Sequence, residues 1–226
     1  MSFRLPERLL DLRRHNRTDP AAPPTEPPFD PTSWSGALIV MLGVAAVLWI
    51  VQIVNATQDY GLDRFGIKPR EVDGLWGVLT EPFLHASYEH LLSNTVPLVG
   101  VGWVLLLSGL RVFLFVTAVV VVIGDTATWL VAPSGLIVGA SGMIFGWLGY
   151  LVARAYFTRR WKWIFVAAGL LLFFGTLLGS LLPTVDSRVS WQAHVCGLLT
   201  GIAVGWLLHP RRPTTASRTR RLGTAA

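Results

Sequence analysis

Runs of apolar residues long enough to cross a lipid bilayer constrain this chain more than any other feature. About 20 such residues cross the hydrocarbon core of a bilayer, and the runs cover residues 37–54, 89–107, 111–131, 141–156, 163–182 and 191–208. Charged residues make up only 14% of the chain, against about a quarter in a soluble domain. We therefore predict an all-α, polytopic membrane protein with six transmembrane helices.

Two polar tails flank the predicted membrane domain, which spans residues 37–208. Residues 1–36 contain half of the chain's 14 prolines and cannot bury enough apolar surface to fold alone, so we expect a disordered tail. They contain no apolar segment typical of a cleavable signal peptide. Residues 209–226 are rich in arginine, and we expect a second disordered tail near anionic lipid headgroups.

The distribution of basic residues predicts the topology. With six spans, one side of the membrane would hold both tails and 15 of the 19 lysines and arginines, leaving four on the other side. Basic loops stay in the cytoplasm, so both termini are predicted to be cytoplasmic. The net charge of +6 then reflects topology, and no nucleic-acid partner is expected. The single cysteine, Cys196, excludes an internal disulfide and a cysteine metal cluster, and we expect neither metal nor cofactor.

Charged and strongly polar groups inside apolar runs are costly and usually functional, and four candidates stand out: His90, Asn94, Ser141 and His194. At about 1.5 Å per helical residue, counting from the cytoplasmic ends places Ser141 roughly 20 Å, His194 roughly 22 Å and Asn94 roughly 25 Å up. These depths predict one shared polar site, a little below the outer surface.

The residue types in this layer suit nucleophilic catalysis. A serine hydroxyl needs a neighbouring base, usually histidine, and acyl transfer needs donors for the developing oxyanion. Ser141 begins a helix, whose free backbone N–H groups are such donors. His90 and Asn94 are four residues apart on one helix face, so their side chains could supply further donors.

Glycines predict how the helices meet. Gly139 and Gly142 would let another backbone approach Ser141, and Gly197, Gly201 and Gly205 recur every four residues on the sixth run. Small faces of this kind bring membrane helices into close contact. This face would pack the sixth helix on the fourth and carry His194 to Ser141.

Each feature also has a simpler interpretation. Residues 139–142 alone could be a helix-packing motif, and His194 alone could be structural, a proton relay or a pore residue. His90 and Asn94 could form interhelical hydrogen bonds. Asp125 in the third run is expected to be a satisfied polar contact near the outer end.

The long connection at residues 55–88 is predicted to be an ordered loop, because loops of this length are usually functional.

Taken together, these motifs resemble the rhomboid family of intramembrane serine proteases, over about residues 37–208. The fourth helix begins with Gly139-Ala140-Ser141-Gly142, as in that family. The second and sixth helices carry its remaining motif residues, which here are His85, His90, Asn94, His194, Gly197 and Gly201.

The resemblance implies a Ser141–His194 dyad without a third carboxylate. The oxyanion would be held by the Ser141 backbone N–H with His90 and Asn94, and His85 would support the site. Substrates would be membrane-anchored proteins cleaved in a transmembrane segment near the outer face. They would enter between the second and fifth helices, under a cap from the loop near Ser187. A bacterial cytoplasmic membrane is the expected location.

Two departures from the family pattern stand out. The Trp-Arg pair of its first loop is Trp76-Gly77 here, and the tyrosine four residues after the serine is Phe145. A phenyl ring can stack on His194 but offers no hydroxyl. Two rival functions remain at this point: a catalytically inactive relative that binds transmembrane helices, and a transporter or channel with a polar path.

Overall fold

The structure is a computed structural model that describes residues 29–174, 179–183 and 190–209. Most of the predicted N-terminal tail, the C-terminal tail beyond His209 and the cap near Ser187 lie outside these residues. Predictions for those segments therefore stay predictions.

Six long helices form the described part of the chain, in the order of the six apolar runs. They are α1 (Trp34–Thr57), α2 (Tyr88–Leu106), α3 (Leu110–Val131), α4 (Ser141–Thr158), α5 (Trp161–Phe174) and α6 (Trp191–Leu208). Serine side chains cap three N-termini, at Ser33, Ser87 and Ser190, where they accept bonds from otherwise free backbone N–H groups. The described residues contain no strand, so the all-α prediction is confirmed for this part.

The fifth predicted span, residues 163–182, is described only in part. Helix α5 is described as far as Phe174, residues 175–178 lie outside the described residues, and residues 179–181 form a helical turn. The C-terminal end of the predicted span therefore stays a prediction. The turn contains Ser180, which contacts the candidate site.

Three of the helices, α1, α3 and α6, are long and apolar enough to cross a membrane. Large apolar side chains point outward, including Ile50, Leu172 and Phe173 at 60%, 84% and 82% exposure. Such a surface is suited to lipid rather than to water. The chain is thus an integral membrane protein in its architecture, while the crossing of α2, α4 and α5 stays a prediction.

Helix α4 lies at the centre of the bundle. Its core-facing side chains, such as Phe145, Trp147 and Tyr150, are almost completely buried, and buried residues occur all round the helix. A helix that is apolar on every side must be surrounded by other elements. Ser141 therefore begins the most enclosed helix of the fold.

Helix α6 packs on α4 through the glycine face. A methyl group added to Gly197 would overlap the carbonyl oxygen of Gly142, and one added to Gly201 would overlap that of Gly146. At Gly205 it would meet the Ala153 side chain. The predicted packing of the sixth helix on the fourth is confirmed, and it depends on glycine because two backbones touch.

The first loop is ordered, as predicted. It contains helical turns at Gly61–Phe65, Val72–Trp76, Gly77–Thr80 and Glu81–Phe83. A two-residue bridge joins it to the segment before Ser141, because Ile67 and Ile137 exchange both backbone hydrogen bonds at 2.9 Å. The first loop thereby fixes the segment that leads into α4.

The surroundings of Gly77 leave no room for the arginine of the Trp-Arg pair. A side chain at Gly77 would overlap the backbone of Gly66 and Ile67, so no arginine fits at this position. Arg70 holds the loop instead, since its guanidinium donates to the carbonyl oxygens of Leu130 and Ala132. The loop is thus tied to the end of α3 by a different arginine.

Candidate active site

Ser141 and His194 are in direct contact. The Ser141 hydroxyl lies 2.7 Å from Nε2 of His194, although the two residues are 53 positions apart in the chain. The contact exists because the glycine face of α6 lets that helix touch α4. A hydroxyl at this distance can pass its proton to an imidazole, which is the first requirement of a serine nucleophile.

Two neighbours fix the imidazole ring of His194. The Phe145 ring stacks on it, with centroids 4.6 Å apart and planes at 30°. On the other side, Nδ1 lies 3.0 Å from both the hydroxyl and the carbonyl oxygen of Ser180. The family resemblance pointed to Phe145, but no periodicity or motif pointed to Ser180.

Two hydrogen bonds hold the turn that precedes Ser141. Gly139 has φ 127°, a backbone conformation that favours glycine, and its N–H donates to the Glu81 carbonyl oxygen at 3.1 Å. The Ala140 N–H donates to Nε2 of His85 over 3.5 Å. Burial, and to a smaller extent the nearby His90, lowers the pKa of His85 to about 3. His85 is thus a neutral acceptor that supports the turn.

His90 and Asn94 share the cavity with the serine. A methyl group on Gly139 would lie 2.6 Å from Cε1 of His90, so the imidazole rests directly on the turn. Asn94 Nδ2 donates to the His90 carbonyl oxygen at 2.9 Å, which is a bond within α2 rather than between helices. One of its two amide hydrogens remains for the cavity.

A cavity of about 970 Å³ contains these groups. Its polar lining includes all four predicted residues: His90, Asn94, Ser141 and His194. Ser180 and Glu81 line it as well. Among the described residues, no cluster of three or more histidine, cysteine or acidic side chains could hold a metal ion. The polar groups that line this cavity are hydroxyl, imidazole, amide and carboxyl groups.

The structure corrects the expectation for Asp125. Its side chain is 0% exposed, yet neither carboxyl oxygen has a hydrogen-bond partner within the described residues. A π-helical segment, Val120–Gly124, directly precedes it, and such widened turns often redirect side chains at functional sites. Asp125 lies behind the serine turn, since a methyl group on Gly142 would be 3.5 Å from its Oδ1.

Glu81 is a second buried carboxyl group near the serine. Its side chain is 1% exposed, and Oε2 has no hydrogen-bond partner within the described part of the chain. Burial, and then the negative charge of Asp125, raise the pKa of Glu81 well above its usual range. The folded protein therefore favours the protonated acid.

This buried acid predicts a pH dependence of stability. A carboxyl group whose pKa is raised by folding stabilises the folded state fully only below its unfolded pKa, here 4.5. That stabilisation is lost as the pH rises through the folded pKa. We expect Glu81→Gln to flatten the fall in thermal stability above pH 5, measured in detergent between pH 5 and 9. The exposed Glu71→Gln is the control, and an unchanged pH profile in Glu81→Gln would contradict the prediction.

Comparison with known proteins shows the family of this chain. The family model for the Rhomboid domain matches residues 72–211, a range that contains the whole candidate site. The chain belongs to the rhomboid family. Membership in this family implies an intramembrane protease. The matched range contains the serine turn, the histidine of α6 and the polar start of α2.

Individual relatives are bacterial. "Uncharacterized protein ML1171" of Mycobacterium leprae is 36% identical over 192 residues, which cover 81% of this chain and 76% of the relative. "Uncharacterized protein Rv1337" of Mycobacterium tuberculosis is 35% identical over 210 residues, which cover 85% and 87%. A Bacillus subtilis protein named "Putative rhomboid protease YdcA" is 29% identical over 134 residues, which cover 58% of this chain and 66% of that one.

Proposed function

We propose that this rhomboid-family protein is a serine endopeptidase that cleaves transmembrane segments with a Ser141–His194 dyad. The observation that carries the proposal is the 2.7 Å contact between the Ser141 hydroxyl and His194 Nε2, inside a polar cavity of a membrane protein. Family membership supports the protease class, and the contact supports the serine mechanism.

The mechanism follows the general chemistry of serine acyl transfer. Ser141 Oγ attacks the scissile carbonyl carbon while its proton moves to His194 Nε2. The tetrahedral intermediate collapses when the C–N bond breaks, and His194 gives that proton to the leaving amine. Water, activated by the same imidazole, then hydrolyses the acyl-enzyme and returns the serine.

Three donors would stabilise the oxyanion. The Ser141 backbone N–H lies at the start of α4 and has no partner within the helix. Asn94 can donate its second amide hydrogen, and the His90 ring lines the same cavity. Donors that are already in place when negative charge develops give the largest single contribution in many enzymes.

The substrates would be proteins with a membrane anchor, cut near the outer face. This follows from the depth of the polar layer and from the predicted topology, in which both termini are cytoplasmic. All six helices would then cross a bacterial cytoplasmic membrane. The proposal includes lateral entry of the substrate between α2 and α5, under a cap near Ser187. It also includes a small side chain on the substrate residue just before the cleaved bond, as is typical of the family.

The two rival functions fit the observations less well. An inactive helix-binding relative would not need a serine hydroxyl and an imidazole in contact. A transporter usually shows inverted or parallel repeats with broken helices, and the sequence has no such repeat between residues 37–131 and 139–208.

A fluorophosphonate probe tests the proposal through His194. We expect the purified wild type to be labelled on Ser141, because the imidazole makes the hydroxyl reactive. We expect His194→Ala to lose labelling by a factor of about 10³ or more while keeping its melting temperature nearly unchanged.

The matched control is His209→Ala, at the opposite end of α6, where the ring contacts the Tyr150 hydroxyl at 3.2 Å. Labelling should survive in this variant. A folded wild type that takes no label would refute the protease, and a collapse of stability in His194→Ala would indicate a structural histidine.

A further inference from the structure

The Nδ1 atom of His194 faces two oxygen atoms of one residue. The carbonyl oxygen and the hydroxyl oxygen of Ser180 are each 3.0 Å away. Ser180 lies in the helical turn at residues 179–181, between α5 and α6 in the chain, and 14 positions before the histidine. It therefore reaches the candidate base from outside both helices of the dyad.

The carbonyl oxygen determines which nitrogen carries the proton. A carbonyl oxygen can only accept a hydrogen bond, so a contact of 3.0 Å is favourable only when Nδ1 bears hydrogen. If Nδ1 were unprotonated, its lone pair would face the lone pairs of the carbonyl oxygen. The hydroxyl of Ser180 can accept from the same N–H, which gives a bond shared between two acceptors.

Protonation at Nδ1 leaves the lone pair on Nε2. That atom is 2.7 Å from the Ser141 hydroxyl, so the ring is in the tautomer that a general base requires. When His194 accepts the serine proton, both nitrogens become donors, and the two Ser180 oxygens face the new positive charge. In other serine enzymes a third group orients the base in this way.

We propose that Ser180 is a positioning residue that fixes the tautomer and orientation of His194. The inference rests on the proposed protease function. It adds a neutral third member to the dyad, where soluble serine proteases use a carboxylate. A neutral pair of acceptors is the less costly choice at membrane depth, because a buried charge must be compensated.

The ring is thus constrained on two sides. Phe145 stacks on its face and sets the plane, while Ser180 sets the rotation within that plane. Loss of the hydroxyl leaves the carbonyl acceptor in place, so the expected effect is moderate. A hydrogen bond to a charged group contributes about 1.5–3 kcal/mol, which corresponds to a factor of about 10–100 in rate.

The first test is the inactivation rate with a fluorophosphonate. Ser180→Ala should lower the maximal rate of Ser141 labelling about tenfold or more without weakening the reversible binding of the probe, and Ser180→Thr should restore most of it. Ser35→Ala, at an exposed serine of α1 outside the cavity, is the matched control and should react like the wild type. Equal rates in wild type and Ser180→Ala would overturn the inference.

The second test needs no variant of Ser180 and no activity. Solid-state ¹⁵N spectra of the ¹⁵N-histidine-labelled protein in bilayers, assigned with His194→Gln, report which ring nitrogen carries hydrogen. The Nδ1–H form is expected at neutral pH, and the Nε2–H form would overturn the inference. Failure of the wild type to label would refute the protease instead, and the tautomer would still decide the role of Ser180.

Discussion

Replacing Ser141 by alanine is expected to reduce peptide-bond hydrolysis by about 10⁴-fold or more, to the background of the assay. The substitution removes the only atom that can form the acyl-enzyme in the proposed mechanism. It also removes the 2.7 Å contact with His194 Nε2. The backbone N–H groups and the cavity remain, so binding of a substrate should persist while turnover is lost.

The measurement uses a membrane-anchored reporter substrate in proteoliposomes, with mass spectrometry of the fluorophosphonate adduct. The adduct should map to the peptide that contains Ser141, and Ser35→Ala, an exposed serine of α1 outside the cavity, should cleave at the wild-type rate. An adduct on another serine, or turnover by Ser141→Ala above one hundredth of the wild-type rate, would disprove the assigned nucleophile.

Gly201→Ala is expected to damage both stability and activity. Its methyl group would overlap the carbonyl oxygen of Gly146 and crowd Tyr150 N at 2.9 Å. Both atoms belong to the backbone of α4, so neither can rotate away. Overpacking of this kind costs about 1–3 kcal/mol, which lowers the melting temperature by roughly 2–12 °C for a chain of this size.

Activity should fall further than stability. Helix α6 must move away from α4, and that shift separates His194 from Ser141. A displacement of about 1 Å can cost a factor of 10² in rate. We therefore expect at least that loss in the reporter assay at a temperature where the variant is fully folded.

Gly43→Ala provides the matched control for the glycine face. Gly43 lies within α1, and no heavy atom outside its own helix segment approaches within 4 Å of an added methyl group. Alanine favours a helix over glycine by about 1 kcal/mol, so this variant should be as stable as the wild type or slightly more stable. Equal behaviour of the two variants would show that the backbone contact has no energetic role.

The sequence predicted the helices because lipid imposes a simple rule. Apolar length located α1, α2, α3, α4 and α6 to within three residues at either end. Glycines at intervals of four predicted the contact between α4 and α6. These signals are periodic, and each is contained in a single stretch of sequence, so no knowledge of the tertiary structure was needed.

The contacts made by loops could not be predicted in the same way. Arg70 donates to carbonyl oxygens at the end of α3, in a loop that the bridge between Ile67 and Ile137 joins to the segment before Ser141. Ser180 lies in a helical turn outside the six long helices, and it contacts a histidine 14 positions later in the chain. Single hydrogen bonds of this kind leave no pattern in the sequence, since they depend on how distant segments meet.

Asp125 and Glu81 show the same limit for buried charge. In the sequence, Asp125 is an acidic residue of the third apolar run, and Glu81 is one of several acidic residues in the first loop. Their burial without hydrogen-bond partners, in the described part of the chain, follows from a π-helical segment and from the fold of the first loop. Neither cause is visible in hydropathy or composition.

The distance in sequence between the two dyad residues has a consequence for biosynthesis. The ribosome adds His194 53 residues after Ser141, so a nascent chain carries the serine through the synthesis of α4 and α5 before the histidine follows. As the proposed nucleophile, the hydroxyl would become reactive only when α6 docks on α4 through its glycines. Under the proposed function, a chain that stalls or is truncated before this last helix is proteolytically silent.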